Sequence, residues 1–357
     1  MGECELRNTT IFLNLDIYTF LMFLHEIDHL SVTILMDNYT DRLLPSSLPA
    51  IRPPMIMHGR FLPAPIAEHG FSTIIEIRYN DDNKKNIFLF DTGVSENGII
   101  FNADIFGIDL KNIEAIILSH GHLDHCSGLL NVLKRISKSI KVIAHPDAFL
   151  KRWLVYPEGN KAKMPVLDEK ELENHGATIH KIRNVNYLPS NNDDDGGIVG
   201  GGIVGGGNGV SSPLMITGQI PRETSFEKGF PLQYAEIQGQ KELIPDPLVN
   251  DDQAIIVNIK QKGLVILTGC GHAGIINTIN YAKKVTKINK VFAVLGGFHL
   301  TGGIYEEAIE PTIKDLQKAD PKYVIPCHCT GWKATNKIIE VMSEKFIQTS
   351  VGTSFNF

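Results

Sequence analysis

The chain of 357 residues has no lysine- and arginine-rich run, and its net charge is −6. A surface that neutralises nucleic-acid phosphates needs the opposite balance, which argues against general nucleic-acid binding. It also lacks an uninterrupted apolar stretch of the roughly 20 residues that a bilayer demands. Ile11 to Leu24 comes nearest, but Asp16 breaks it, and Glu3 and Glu5 stand where a secretory signal would be basic. No membrane association is therefore expected, and residues 1–30 read as an N-terminal extension, either poorly ordered or a surface-packed helix. Nor is there a Walker-type phosphate loop. Cysteine is scarce and odd in number: Cys4, Cys126, Cys270, Cys327 and Cys329. An odd set lying mostly beside histidines suits a reducing, cytoplasmic setting better than a disulfide framework.

What is present is a concentration of histidine. Residues 119–128 read SHGHLDHCSG, which places His120, His122, Asp124 and His125 within six positions. Imidazoles this close repel one another once protonated, so stacking them costs folding energy unless something binds them. Imidazole and carboxylate are natural donors for a divalent cation. The preceding IEAIIL, Ile113 to Leu118, reads as a buried strand, so the four donors sit on the loop that leaves its C-terminal end. Open α/β sheets place their chemistry there.

The second half repeats the device. GLVILT (263–268) releases into Gly269-Cys270-Gly271-His272, KVFAVL (290–295) into Gly296-Gly297-Phe298-His299, and KYVI (322–325) into Pro326-Cys327-His328-Cys329. Parallel strands would bring these three loops to one sheet edge, beside the first cluster. His145, in VIAHPDAF, also follows a strand and is a weaker candidate for the site. Residues 189–213 hold an acidic-polar run and a duplicated GGIVG. Glycine loses the most freedom on ordering, so this reads as a mobile insertion within one domain spanning 31–357. It is not a dinucleotide fingerprint, since no strand feeds it and no helix follows.

H-x-H-x-D-H after an apolar strand, with IFLFDTG (87–93) upstream, resembles the signature of the metallo-β-lactamase superfamily. That resemblance implies an α/β fold in which two mixed sheets pack face to face between outer helices, an αββα sandwich with metals in a cleft at one edge. It implies an enzyme holding one or two divalent ions: zinc first, with manganese, iron or magnesium as alternatives. The implied ligands are His120, His122, Asp124, His125 and His328, and Asp91 would support the metal loop. A carboxylate usually bridges two metals where this chain has Cys270, so either Cys270 substitutes or His272 takes the position.

Asp37-Asn38, TGQIPR (217–222), TGCGHAGIINTI (268–279), GGFHL (296–300) and PCHCTG (326–331) together resemble one branch of the superfamily. That branch contains 7,8-dihydropterin-6-methyl-4-(β-D-ribofuranosyl)aminobenzene 5′-phosphate synthase alongside metal-dependent hydrolases. The resemblance implies a small phosphorylated or pterin-like substrate and leaves a homo-oligomer open. Under the synthase reading Arg222 would pair with a phosphate, and Asp37 and Asn38 would hydrogen-bond a heterocycle. Under the hydrolase reading, on a phosphodiester or carboxylic ester, Asp124 would orient water and His299 or His328 would assist proton transfer. A non-catalytic metal-binding protein is a third reading. Branch members often carry glutamate where this chain has Gln219, which weakens any acid–base role there.

Overall fold

Strand residues alternate between two apolar environments, and this alternation builds the architecture. In Ala254–Ile259, Ile255, Val257 and Ile259 join one buried cluster while Ala254 and Ile256 join another. In Ala115–Ile117, Ala115 and Ile117 join the same first cluster while Ile116 faces a third. A period of two with both faces apolar means sheets covered on both sides. The computed structural model of the chain, which describes residues 21–57, 59–78, 85–188, 203–204 and 209–357, shows how.

One sheet has eight strands in the order Ala177–Lys181, Ile140–Ala144, Ala115–Ile117, Lys85–Phe90, Ser72–Arg78, His29–Met36, Ser354–Asn356 and Ala50–Ile51. Its first four strands are mutually parallel and the rest pair antiparallel. The second sheet runs Asn186–Leu188, Leu214–Ile216, Ala254–Ile259, Gly263–Thr268, Val291–Gly296 and Tyr323–Pro326, with the last three parallel. The inner faces of both sheets meet in one cluster that includes Val32, Ile75, Phe88, Val257, Leu267 and Ile325. Gly98–Phe106, Leu129–Ile136 and Glu169–Asn174 cover the first sheet. Ile275–Thr286, Ile309–Ala319 and Trp332–Met342 cover the second through Ile279, Ile313 and Ile338. This is the αββα sandwich expected from the motifs.

Two boundaries differ from the sequence reading. Residues 21–30 are not a loose extension or a helix: Leu21–Leu24 is a strand, Glu26–Ile27 pairs with Asn258 and Ile259, and the next strand starts at His29. Ile27 and Leu30 are fully buried between the sheets, so the apolar character there serves the core. Within the expected insertion, 189–202 and 205–208 lie outside the described residues. Gly209–Ser212 is a strand parallel to Leu21–Leu24. Each of these segments supplies the ladder partner that the other needs. Among the described residues, no helix is long and apolar enough to cross a membrane.

Candidate metal centre

Six loops leave the strand ends on one edge of the sandwich, and their side chains converge. Asp91 ends Lys85–Phe90 with a left-handed backbone, φ 61°. Its Oδ1 accepts from the Ser119 amide at 2.7 Å, and its Oδ2 faces the Ser119 hydroxyl and His125 Nδ1, both at 2.7 Å. A buried carboxylate can only accept here, so Nδ1 of His125 carries a proton and Nε2 turns inward. His328, also left-handed at φ 49°, is held in the same manner. Its Nδ1 lies 3.0 Å from Asn38 Oδ1, and its amide donates to Asp37 Oδ1 at 2.9 Å.

Both inward nitrogens meet Cys270 and Asp124. His125 Nε2 lies 3.1 Å from Cys270 Sγ and 3.1 Å from His328 Nε2, while Asp124 Oδ2 is 3.2 Å from His328 Nε2. Donor atoms of Asp124, His125, Cys270 and His328 all lie within 4.8 Å of one another, and those of His120, Cys270 and His272 form a second such group. His122 joins the second group's edge, with Nδ1 3.1 Å from His272 Nε2 and Nε2 2.5 Å from Gln233 Oε1. Cys270 is common to both groups, the placement a bridging ligand would need, and His272 lies in the second group beside it.

The donor set fits a divalent ion on two observations. Nε2 of His120 is buried without a hydrogen-bond partner, although its Nδ1 reaches Ser119 Oγ at 2.9 Å. In addition, the inward Nε2 atoms of His125 and His328 face each other at 3.1 Å, a pairing that needs a cation or a proton between them. Electrostatics agree. Burial and the neighbouring His125, His122 and His272 push His120 well below its usual range, and burial with Arg152 nearby lowers His122 to about 4. Against the burial penalty, Asp124 and Asp91 raise His125 to about 9, so without an ion a proton occupies the negative hollow. Burial raises the Cys270 thiol well above its usual value, and only a cation would make thiolate the resting form.

The loops fit so tightly that two glycines are obligatory. A Cβ on Gly121, between the first two histidines, would lie 2.2 Å from the Ala148 carbonyl oxygen. One on Gly269, ahead of Cys270, would lie 2.1 Å from Ser119 Oγ.

Four candidate residues are placed differently from the sequence reading. Arg222 does not reach toward a phosphate: its guanidinium donates to the carbonyls of Ile220, Leu248 and Val249. Asp37 is spent on His328, Asn38 and Thr349, and Asn38 on His328 and His69, so the pair positions a histidine instead of facing a heterocycle. His145 caps its own 3₁₀ turn, accepting from the Asp147 amide at 3.1 Å. Gln219 donates to Asn250 Oδ1 at 3.1 Å. His299 does arrive: its ring centroid is 4.0 Å from that of His272 and 4.4 Å from that of Tyr305.

Sequence reasoning missed the supports that come from far along the chain. Arg152 is buried, donates to Asp246 Oδ2 at 2.9 Å and to both oxygens of Asp251, and Asp251 Oδ2 accepts from the Gly121 amide at 2.8 Å. Gln233 pins His122, and exposed His69 lies 3.6 Å from Asp124. No local spacing announces any of these. Beside His272 and His299 a cleft of about 400 Å³ opens, lined also by Phe226, Lys228 and Tyr305. Phe230 stacks on Tyr305, ring centroids 5.9 Å apart, and its ring also packs 5.5 Å from His272.

Comparison with known proteins agrees with this geometry. The sequence profile of the metallo-beta-lactamase superfamily matches residues 67–222. The chain is 32% identical over 295 residues to the 7,8-dihydropterin-6-methyl-4-(beta-D-ribofuranosyl)-aminobenzene-5′-phosphate synthase of Methanocaldococcus jannaschii, covering 82% of this chain and 90% of that one. It is 34% identical over 286 residues to an uncharacterized protein of the same organism, covering 80% and 92%. Among solved structures, Tm1679, a metal-dependent hydrolase of the beta-lactamase superfamily, superposes with a TM-score of 0.65 over 91% of this chain and 98% of that one; at 22% identity the likeness is one of fold. With the donor cluster at the shared sheet edge, the chain belongs to the metallo-beta-lactamase superfamily and is a metal-dependent enzyme of it.

Proposed function

We propose that the protein joins a pterin-methyl diphosphate to an arylamine ribofuranosyl phosphate and expels diphosphate, with zinc as the ion. The observation that carries this reading is the contact between two unlike surfaces. The cleft of about 400 Å³ offers the flat ring of Tyr305 on one side and abuts the buried His/Asp/Cys cluster on the other. A planar heterocycle joined through one methylene to a diphosphate has that same division, and the volume lies in the range of small-molecule sites. Similarity to the Methanocaldococcus synthase over most of both chains supports the choice. The Cys270 thiol supports zinc over the harder ions, since thiolate is a good zinc ligand.

His120, His122, Asp124, His125, Cys270, His272 and His328 would hold the ion or ions. When bound, a divalent ion neutralises diphosphate oxygens and so eases their departure. The chain's own groups supply the rest. Asp91 and Asn38 fix the inward nitrogens of His125 and His328, so the donors need no reorganisation as charge builds up. Tyr305, backed by Phe230, gives the heterocycle a face to stack on. With Arg222 committed to carbonyls, exposed Lys228 at the cleft is the cation placed to pair with the arylamine's phosphate. The arylamine nitrogen forms a bond to the methylene carbon as the carbon–oxygen bond to diphosphate breaks, and one proton leaves the new ammonium to water at the cleft mouth.

The test is to incubate zinc-loaded protein with both substrates and follow products by mass and by diphosphate release. One coupled product per diphosphate is expected. Release of pterin alcohol with diphosphate, or of phosphate, without coupled product would make the protein a hydrolase and overturn the reading.

A further inference from the structure

The histidine and carboxylate groups described above leave out a third set of donors on the cleft side of Cys270. Donor atoms of Cys270, His299 and Cys329 also lie within 4.8 Å of one another. We infer that this set is a sulfur-rich ion position of its own, taking Zn²⁺ through two thiolates and an imidazole and sharing Cys270 with the histidine-rich groups. The inference rests on reading the cluster as an ion centre, and it is independent of which substrate that centre serves.

Four features of the structure carry it. Neither buried ring nitrogen of His299 makes a hydrogen bond of good geometry, although the ring lies beside the Cys329 sulfur, an arrangement that costs free energy unless a cation or a ligand engages one of them. His299 also adopts a left-handed backbone, φ 45°, which a histidine does not take without compensation. Cys329 is buried, and its sulfur donates to the carbonyl oxygen of Cys270 at 3.1 Å, which holds the two cysteines together across 59 residues. Finally, the Cys329 sulfur packs directly against the backbone of Gly297, where a Cβ would lie 2.5 Å from the Gly269 carbonyl oxygen and 2.6 Å from Cys329 Sγ. Tetrahedral zinc, with bonds of about 2.3 Å to sulfur and about 2.0 Å to nitrogen, spaces its ligand atoms roughly 3.5–3.8 Å apart. The three donors lie within 4.8 Å of one another, so modest side-chain adjustment would bring them to that spacing.

The composition also decides the class of ion. Two thiolates and an imidazole select zinc over magnesium, calcium or manganese, which prefer oxygen. Three protein ligands leave a fourth position, the pattern of catalytic zinc sites and not of closed structural ones. His299 lines the cleft, so that fourth position would face the ligand space.

Cobalt reports the site directly. The reduced full-length protein, stripped with a chelator, is titrated with Co²⁺ while bound metal and near-ultraviolet thiolate-to-cobalt absorption are recorded. Cys329→Ser should lose about half of that absorption and the equivalent of ion held there. His299→Ala should weaken the same equivalent by about 10–100-fold, and His120→Ala should leave it in place. Cys327→Ala, at a thiol packed between the sheets, is the control and should match the wild type. Circular dichroism checks that each variant folds, and His299→Ala decides the matter should Cys329→Ser fail to fold. Unchanged cobalt stoichiometry and absorption in a folded Cys329→Ser or His299→Ala protein would overturn the inference. Absence of coupling activity in a wild-type protein that shows the expected cobalt spectrum and the expected losses in the variants would count only against the proposed reaction.

Discussion

Nε2 of His125 and Nε2 of His328 lie 3.1 Å apart, although 203 residues separate them in the chain. Each imidazole is anchored from behind, one by Asp91 and the other by Asn38, so neither ring can turn away from its neighbour. Two anchored nitrogens pointed at each other must share a proton in an empty site, and a divalent ion replaces that proton in a loaded one. Folding and ion binding are therefore coupled in this protein.

The first prediction follows from that coupling. Removing bound metal should lower the melting temperature, and restoring zinc at about 100 times its dissociation constant should return about 2.7 kcal/mol. His328→Ala should abolish most of the gain, since it removes a donor from the tightest group. An identical melting temperature for zinc-loaded and chelator-stripped protein, with metal analysis showing that ion was bound and removed, would contradict the coupling.

Asp91→Asn tests the anchor behind His125. The amide can still accept from the Ser119 backbone, but it must then turn an NH₂ toward the Ser119 hydroxyl and His125 Nδ1. A donor facing Nδ1 favours the other tautomer and puts the proton on Nε2, where the ion belongs. Zinc affinity should fall by about 10–100-fold, measured by competition with a chromophoric chelator. A loss of less than twofold would mean that Asp91 does not set the tautomer.

Much of this arrangement was legible in the chain. The strands before His120, His272, His299 and His328 are apolar runs, the last three running into glycine or proline, and the parallel pairing of those three brings their loops to one edge. Local pattern was enough there because sheet geometry does the converging. It failed where a partner comes from far away. Asp37 and Asn38 read as ligand-binding groups because their true partner, His328, lies about 290 residues on. Arg222 read as a phosphate clamp because nothing local reveals that three carbonyls claim it. Leu21–Leu24 read as a loose apolar extension because its strand partner, Gly209–Ser212, sits beyond a glycine-rich segment.

Arg152 and Asp251 give a prediction with a pH sign. Although burial raises it, Arg152 holds Asp251 down at about 2, against an ordinary value of 3.8. A depressed acid contributes stability that is fully present above pH 4 and lost as pH falls through about 2. Its share is about 2 kcal/mol. Asp251→Asn should therefore flatten the acid limb of stability between pH 4 and 2. At pH 7 it should cost about 3 kcal/mol, because it leaves buried Arg152 with only Asp246. Denaturant unfolding at several pH values measures both, and an unchanged acid limb would show that the pair carries no such linkage.

Tyr305→Ala tests whether the cleft reads a flat ring. Tyr305 stacks on Phe230 at an interplanar angle of 22°, and Phe230 packs in turn on His122, His272 and His299. The aromatic wall is thus backed by the metal loops, and no donor of the cluster depends on Tyr305 for a hydrogen bond. Truncating it should remove a stacking surface without disturbing the ion. Stacking of a heterocycle on an aromatic side chain is worth about 1–3 kcal/mol by alanine substitution, so KM for a planar substrate should rise by roughly 5- to 150-fold. Zinc content should stay at the wild-type level. Tyr305→Phe should restore the affinity, since the ring and not the hydroxyl makes the surface. A fall in zinc content, or a KM that Tyr305→Ala leaves unchanged, would place substrate recognition elsewhere on the sheet edge.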